Sequence, residues 1–233
     1  MTKMGKLWIG LGCVLCLTAA TASAAIIDDE FTGDAGSPPN PAIWSTAASV
    51  APATVTLDGV GNVVFNNPGG YTVMEALGAY HAVPGVGEYG NMTMKSYVGN
   101  GATSVIGLMN ASWTEHVLIR TERPAVGTWV VSVKTASSGG EQNYDLGVGS
   151  YGPNDWNIQW ALDAVRVYCN GGLVFDSAVT APGLIIPSVA MAPWFHALGY
   201  TDSMDRTTWD VVPEPATMSL LVLGGLVMLK RRR

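Results

Sequence analysis

The stretch WNIQWALDAVRVYCNGGLVFDS, residues 156–177, predicts three consecutive antiparallel β-strands. Apolar and polar residues alternate through 156–160, and again through 165–169 after a short turn. This period of two places one set of side chains on a buried face and the other set on an outward face. The Asn-Gly-Gly sequence at 170–172 supplies the positive φ angles that a tight hairpin needs. The stretch therefore predicts a β-meander.

Short apolar or alternating segments, separated by Gly, Asn and Pro, continue this pattern along the chain. They are residues 53–59, 62–67, 71–77, 91–98, 103–110, 116–122, 128–135, 144–151 and 208–212. Their spacing is typical of an all-β sandwich or barrel. No window of twelve or more residues carries a helical apolar stripe. We therefore expect an all-β fold, a two-sheet antiparallel β-sandwich.

The meander also resembles a known family. Its pattern W-x-I-x-W-x-x-D-A-V-R-V-Y-x-x-G-G-L-V is similar to the central meander of the concanavalin A-like jelly-roll superfamily, which includes laminin G-like domains and laminarinase-type glycoside hydrolases. The opening 28–45 resembles the first strand and loop of these proteins, and 202–212 resembles their closing strand, which pairs near the first. The resemblance implies a jelly-roll domain over 25–212 with a concave face.

Hydrolases of that superfamily carry two glutamates and an aspartate on one strand, as E-x-D-x-E or E-x-D-x-x-E. This chain has no such segment: Glu141 and Asp145 lack a third acid, Asp155 and Asp163 flank a turn, and Glu115 stands alone. We therefore expect that the protein is not an enzyme but a structural or carbohydrate-associated component of the extracellular matrix. One alternative is a glycoside hydrolase or lyase with a displaced carboxylate pair. Another is a purely structural adhesion or biofilm protein.

Aromatic residues are the first candidates for ligand binding, because aromatic faces stack on sugar rings. Trp113, Trp129 and Trp194 lie near turns and are the tryptophans expected to be exposed. The alternative is that they serve as bulk in the core of the sandwich, which is the commoner role of Trp in such folds. Exopolysaccharide or another glycan is the partner that the first interpretation implies.

A calcium site is the one cofactor that the sequence suggests. Asp28 and Asp29 would meet Asp202 and Asp205 if the first and last strands are neighbours, which would place several carboxylate oxygens together. The alternative is a solvated acidic rim. No other metal or cofactor is expected, because the three histidines are scattered along the chain.

Charge and cysteine content exclude some classes of protein. Six of the twelve basic residues are Lys3, Lys6 and the last four residues, 230–233, whereas all eighteen acidic residues lie between 25 and 229. Such an acidic body is a poor binder of nucleic acid, because phosphate contacts require clustered Lys and Arg. Cys169 would be the only cysteine after removal of the N-terminal segment, so no internal disulfide is expected, and it is interpreted as a small buried apolar residue.

The N-terminus predicts export. Residues 1–24 contain a positive start with Lys3 and Lys6, an apolar stretch and a small-residue cleavage site. This is the organisation of a secretory signal peptide. Cleavage is expected between Ala24 and Ala25.

The C-terminal segment, 213–233, contains Pro213, Glu214 and Pro215, an apolar stretch over 216–229 and the basic end Lys230, Arg231, Arg232 and Arg233. This ordered set resembles the PEP-CTERM sorting signal of Gram-negative bacteria. The apolar stretch is expected to form a transmembrane helix. Its basic end fits the rule that Lys and Arg next to such a helix stay on the cytoplasmic side of the membrane. The resemblance implies that exosortase is a partner. It also implies an exported precursor anchored in the inner membrane, which is then passed to the cell envelope or the exopolysaccharide matrix.

Overall fold

The computed structural model describes residues 27–49, 51–97, 103–122, 128–138, 140–148, 153–198 and 202–214. The predicted signal peptide, and the sorting segment from Pro215 onward, lie outside these residues. Within the described ranges no helix is both long and apolar enough to cross a membrane.

The strands of the described residues, numbered in chain order, are β1 (Ile27–Asp29), β2 (Trp44–Ala48), β3 (Thr54–Leu57), β4 (Val63–Asn66), β5 (Tyr71–Ala76), β6 (Glu88–Tyr97), β7 (Thr103–Asn110), β8 (His116–Glu122), β9 (Thr128–Thr135), β10 (Gly140–Val148), β11 (Asn154–Trp160), β12 (Val165–Cys169), β13 (Gly172–Asp176), β14 (Met191–Leu198) and β15 (Asp202–Pro213). Short 3₁₀ turns occupy Gly78–Tyr80 and Ala136–Ser138, and a single helical turn, α1, occupies Ser177–Thr180.

These strands form two antiparallel sheets. Sheet A has the order β13-β12-β11-β6-β15-β4-β3, and β1 pairs with β15. Sheet B has the order β10-β9-β8-β7-β14-β5-β2. Apolar side chains of both sheets form one core cluster, which includes the fully buried Trp160, Trp209 and Phe195. The predicted β-sandwich of jelly-roll type is therefore confirmed.

The predicted meander is β11, β12 and β13. β12 pairs with β11 from Trp160↔Val165 to Trp156↔Cys169, and on its other side it pairs with β13. The turn into β13 has positive φ at Asn170 (51°). Because the alternation matches the pleat, the apolar set faces the core, and Cys169 is buried as expected.

The first and last strands are neighbours, as the family resemblance implied: β1 pairs with β15 through Ile27↔Trp209. β15 continues through Pro213, which pairs with Glu88. The backbone N–H of Glu214 then donates to the carbonyl of Gly87 at 2.8 Å. The strand ladder thus includes the first residue of the Pro-Glu-Pro sequence, one position beyond the predicted end of the domain.

The sequence did not predict β14, which lies between β7 and β5 in sheet B. Pro193 is the reason, because a proline cannot donate to a strand ladder and is unusual in a central strand. In the structure Pro193 pairs with Leu108 of β7, whereas pairing with β5 starts one residue later, at Trp194↔Glu75. The proline therefore lies beyond the end of the β5 ladder and leaves that ladder intact.

Candidate functional site

Four aromatic side chains adjoin one another on the outward face of sheet B. We call this set the aromatic row; in order, its ring centroids are 6.0, 5.5 and 5.5 Å apart. Its members are Trp113, Trp194, His196 and Tyr71. Both ends of the row are open to solvent, because Trp113 is 47% exposed and Tyr71 is 42% exposed. A surface of this kind fits a ligand with flat apolar faces.

The hairpin loop between β7 and β8 fixes Trp113. The side chain of Asn110 accepts hydrogen bonds from the backbone N–H groups of Thr114 and Glu115 at 2.9 and 3.1 Å, and its amide donates to two hydroxyl groups of the loop. Trp113 itself has φ of 59°, a left-handed conformation that is unfavourable for a bulky residue. The indole N–H of Trp113 donates to the Glu75 carboxylate at 2.8 Å. The loop thus holds an exposed indole in one orientation at a cost in backbone strain.

Trp194 connects this exposed indole to a small apolar cluster on the outward face. The cluster is separate from the main core and contains Trp194, Val73, Val105, Met109 and Leu118. Trp194 is only 7% exposed, and its indole N–H has no hydrogen-bond partner within the described structure. Since a buried unpaired donor costs free energy, such a group is a candidate for an interaction that the free chain does not make.

A polar cluster lies on the same face, toward the β10 edge. His116 Nε2 is 3.0 Å from the Ser132 hydroxyl and 4.0 Å from a carboxylate oxygen of Glu141. Arg120 donates to the other oxygen of Glu141 at 3.1 Å. His116 is 6% exposed and Ser132 is fully buried, whereas the ion pair is about one-third exposed. The accessible part of this cluster is therefore the Arg120–Glu141 pair.

Burial sets the charge state of the two histidines on this face. Desolvation lowers the pKa of His116 to about 4, and the positive charges of Lys134 and Arg120 act in the same direction, against the attraction of Glu141. Desolvation also lowers the pKa of His196. Both rings are therefore neutral at neutral pH, so they contribute hydrogen bonding and ring contacts rather than positive charge.

The carboxylates described on this face are far apart. Glu141 and Asp145 lie four residues apart on one strand, which separates them by about 13 Å. Glu75 lies on β5, five strand spacings away from β10, which corresponds to roughly 24 Å. Glycosidases place their two carboxyl groups about 5–9.5 Å apart. These three residues therefore do not form the displaced pair of the hydrolase alternative.

The structure brings together two of the three tryptophans that the sequence analysis selected. Trp113 and Trp194 are neighbours in the aromatic row. Trp129 instead packs against the core, with its ring 4.9 Å from that of Trp156. Trp194 lies within a strand and is buried, contrary to the expected exposure.

The acidic residues proposed for calcium already have partners of another kind. Both oxygens of Asp28 accept hydrogen bonds from Arg206 at 2.7 Å, which lowers the pKa of Asp28. Asp29 accepts from the indole of Trp44 at 2.7 Å and from the backbone of Phe31. Asp205 accepts from the backbone N–H of Arg206, and the side chain of Asp202 lies outside the described structure. Among the described residues no group of three potential ligands forms a metal site, so the calcium hypothesis gains no support here.

Comparison with solved structures gives matches of low sequence identity and high coverage. A glycosyl hydrolase family 16 protein from Mycobacterium smegmatis is 16% identical with a TM-score of 0.59, over 78% of this chain and 98% of its own. The immunostimulatory antigen and pseudo β-1,3-glucanase of Mycobacterium tuberculosis is 15% identical with a TM-score of 0.59, over 81% and 98%. The endo-β-1,3-glucanase of Pyrococcus furiosus is 12% identical with a TM-score of 0.61, over 81% and 94%. No protein-family model and no curated protein matches the chain.

These matches correct one expectation from the sequence. The missing E-x-D-x-E pattern led us to expect that the protein is not an enzyme. That expectation is overturned because the structures that share the fold include a family 16 glycosyl hydrolase and an endo-β-1,3-glucanase. At this level of identity the likeness shows the fold, a jelly roll that carbohydrate-active proteins use. The absence of one motif is therefore not a reason to place the chain outside the enzymes.

Sequence reasoning missed half of the aromatic row. Tyr71 is the first residue of a predicted strand, whereas His196 belongs to β14, which was not predicted because it contains Pro193. Alternation within WFHAL, from 194 to 198, puts Trp194 and His196 on one face and was the available signal. Their proximity to Tyr71 depends on the pairing of β14 with β5, which is not visible in the sequence.

Proposed function

We propose that this protein acts on a β-linked glucan, which it binds along the aromatic row on the outward face of sheet B. Trp113 is the platform on which one sugar ring stacks. Glu75, which accepts from the Trp113 indole, also accepts from sugar hydroxyl groups beside the platform, and the Arg120–Glu141 pair offers further contacts to a longer ligand toward the β10 edge.

One observation supports this proposal above the others: the conformation of Trp113. An exposed indole in a left-handed backbone conformation, fixed by Glu75 and by contact with Trp194, has no evident structural role in the core. Strain of this kind is maintained where the surrounding structure requires a particular geometry, which makes it a pointer to function. Stacking of a nucleobase on an aromatic side chain contributes on the order of 1–3 kcal/mol to binding. A sugar ring stacks on the same kind of surface.

Affinity electrophoresis in gels that contain laminarin, a β-1,3-glucan, tests this function. We expect laminarin to retard the wild-type protein and to have a much smaller effect on Trp113→Ala. Leu173→Ala is the matched control, because Leu173 is also about half exposed but lies on sheet A. Equal retardation of the wild type and Trp113→Ala would remove the basis of the proposal.

A second candidate function is cleavage or transfer of the glucan at the same face. It is favoured by the glycosyl hydrolase structures that share the fold. Glu75 lies beside Trp113 in the row, whereas Glu141 lies beside His116 in the polar cluster toward the β10 edge. Each is a candidate for general acid or base work as a single group.

Incubation of the purified protein with laminarin, followed by measurement of new reducing ends, tests for cleavage. We expect any turnover to fall by two or more orders of magnitude in Glu75→Gln or in Glu141→Gln, in line with the usual contribution of a general acid or base. Turnover that survives both substitutions would locate the chemistry elsewhere. Binding without turnover in the wild type would leave glucan binding as the function.

We further propose that the protein is exported and that exosortase removes its C-terminal segment. The support is in the sequence: a signal peptide over 1–24 and the ordered Pro-Glu-Pro motif, apolar stretch and basic end over 213–233. Intact-mass analysis of protein from the medium and envelope of the native host tests both steps. A species that starts at Ala25 and ends near 213–215 is expected. A species that ends at Arg233 would show that the segment is a permanent anchor instead.

A further inference from the structure

An open groove of about 520 Å³ lies on the outward face of sheet A, on the side of the sandwich opposite the aromatic row. Its floor is made by the four adjacent strands β12, β11, β6 and β15. Because alternate residues of these strands face the core, the remaining set projects into the groove. The groove is thus a feature of regular strands and shares no residue with the aromatic row.

We propose that this groove is a second binding site, for a neutral oligosaccharide rich in hydroxyl groups. The first argument is the chemistry of its floor. Asn157, Gln159, Thr93 and Thr208 line it with amide and hydroxyl groups, which both donate and accept hydrogen bonds. Sugar hydroxyl groups also both donate and accept hydrogen bonds. A sugar can therefore form hydrogen bonds with these side chains in many relative positions.

The second argument is that the floor is pre-organised. The side-chain amide of Asn157 donates to Asn91 Oδ1 at 2.7 Å and to the carbonyl of Met92 at 3.2 Å. The hydroxyl groups of Thr93 and Thr208 are hydrogen-bonded to each other across neighbouring strands. These contacts fix the polar groups before a ligand arrives, so that less conformational entropy is lost on binding.

Charge is the third argument, and it decides the class of ligand. At one end of the groove Lys95 pairs in register with Asp155, and the bulge of β15 brings Asp205 and Arg206 beside them. Lys95 and Arg206 are the positive side chains here, but Arg206 is paired with Asp28 and lies 3.8 Å from Glu30, so this end of the groove has no excess of positive charge. Phosphate-rich and polyanionic ligands need clustered positive charge, whereas a neutral ligand does not.

Tyr168 supplies the apolar element that a sugar-binding surface needs. It lies opposite Asn157 in the β11–β12 pairing and lines the groove with its ring half-buried. A partly buried tyrosine at the groove offers apolar ring surface together with a hydroxyl group that donates and accepts. The groove therefore combines one aromatic surface with planar polar groups.

Two glycan sites on opposite faces would make the protein bivalent. This consequence rests on the proposed function of the aromatic row, although the groove site itself does not. A bivalent protein links two polysaccharide chains and binds a glycan network more tightly than either site alone.

Calorimetric titration of the full chain with laminarihexaose and cellohexaose, both neutral, tests the groove. Trp113→Ala is used as the background, so that the aromatic row does not contribute. We expect residual binding of at least one hexasaccharide in this background. When Lys95→Ala and Gln159→Ala are added, we expect the affinity for that hexasaccharide to fall by about tenfold or more, which corresponds to the loss of one or two hydrogen bonds. Asp163→Ala, an exposed change outside the groove, should have no effect, and thermal melting should show that all variants are folded.

The outcomes separate the two proposals. If Trp113→Ala removes all binding, the groove proposal is wrong and the aromatic row stands. If Trp113→Ala has no effect but the groove variants abolish binding, the aromatic row is wrong and the groove stands. Residual binding that the groove variants leave unchanged also overturns the groove proposal. Tighter binding of the polyanion alginate than of either hexasaccharide, lost in the groove variants, would overturn the assignment of a neutral ligand.

Discussion

Trp113 shows how one side chain can be positioned against its own preference. Its φ of 59° is compatible with glycine but unfavourable for tryptophan. The conformation is retained because Asn110 organises the loop and Glu75 accepts from the indole. The sequence suggested exposure of this tryptophan but not its strained backbone, because that depends on hydrogen bonds within the loop.

His116 makes stability depend on pH. Its pKa is lowered in the folded state from 6.5 to about 4, so the unfolded chain takes up about one proton more between these values. The contribution of neutral His116 to the free energy of unfolding is therefore complete above pH 6.5, and it is lost as the pH falls toward 4. We expect the denaturant midpoint of the wild type to fall over this window. The fall should be smaller in His116→Asn, which has no group that titrates there; an identical fall would contradict this role.

Glu214 tests the sorting proposal without disturbing the sheet. Only the backbone of Glu214 is bonded to Gly87, so the side chain can be removed while β15 stays paired. In the native host, Glu214→Ala is expected to accumulate as a membrane-held precursor of higher mass than the wild-type product. Glu88→Ala removes a carboxylate beside the motif and should be processed normally. Equal mass and location for the wild type and Glu214→Ala would contradict recognition of this motif.

The turn between β12 and β13 is the element that the sequence predicted in most detail. Asn170 and Gly171 both have positive φ, as the tight hairpin requires. The signal was local, since turn residues and alternation within 156–177 were sufficient to predict three strands and their order. Pairing between strands that are distant in the chain, such as β14 with β5, was not accessible in this way.

Gly171→Ala measures the conformational contribution of this turn. Gly171 has φ of 78°, and an added Cβ would meet no atom within 4 Å, so the expected loss is conformational alone. We expect the free energy of unfolding to fall by about 1–2 kcal/mol, the usual cost of a left-handed conformation for a residue with a side chain. Gly78→Ala is the matched control, because it also has open space but lacks the positive φ. The same loss in both variants would contradict the turn assignment.

The two sheets differ in what their outward faces offer, and the sequence predicted this only in part. Sheet B carries aromatic and apolar side chains around Trp194, whereas sheet A carries amides, hydroxyl groups and charged side chains of both signs around Asn157. Alternation predicted which residues face outward on β11 and β12. It did not predict which outward residues meet, because the strand order follows from long-range pairing in the jelly roll. Tyr71 was missed for this reason, and His196 was missed because its strand, β14, was not predicted.

The central claim is that the aromatic row holds a β-linked glucan. A crystal structure of the protein with laminarihexaose bound tests it most directly. We predict a sugar ring stacked on the indole of Trp113, with Glu75 within hydrogen-bond distance of the ligand. A structure in which the hexasaccharide is bound elsewhere while the face of sheet B stays empty would contradict the claim.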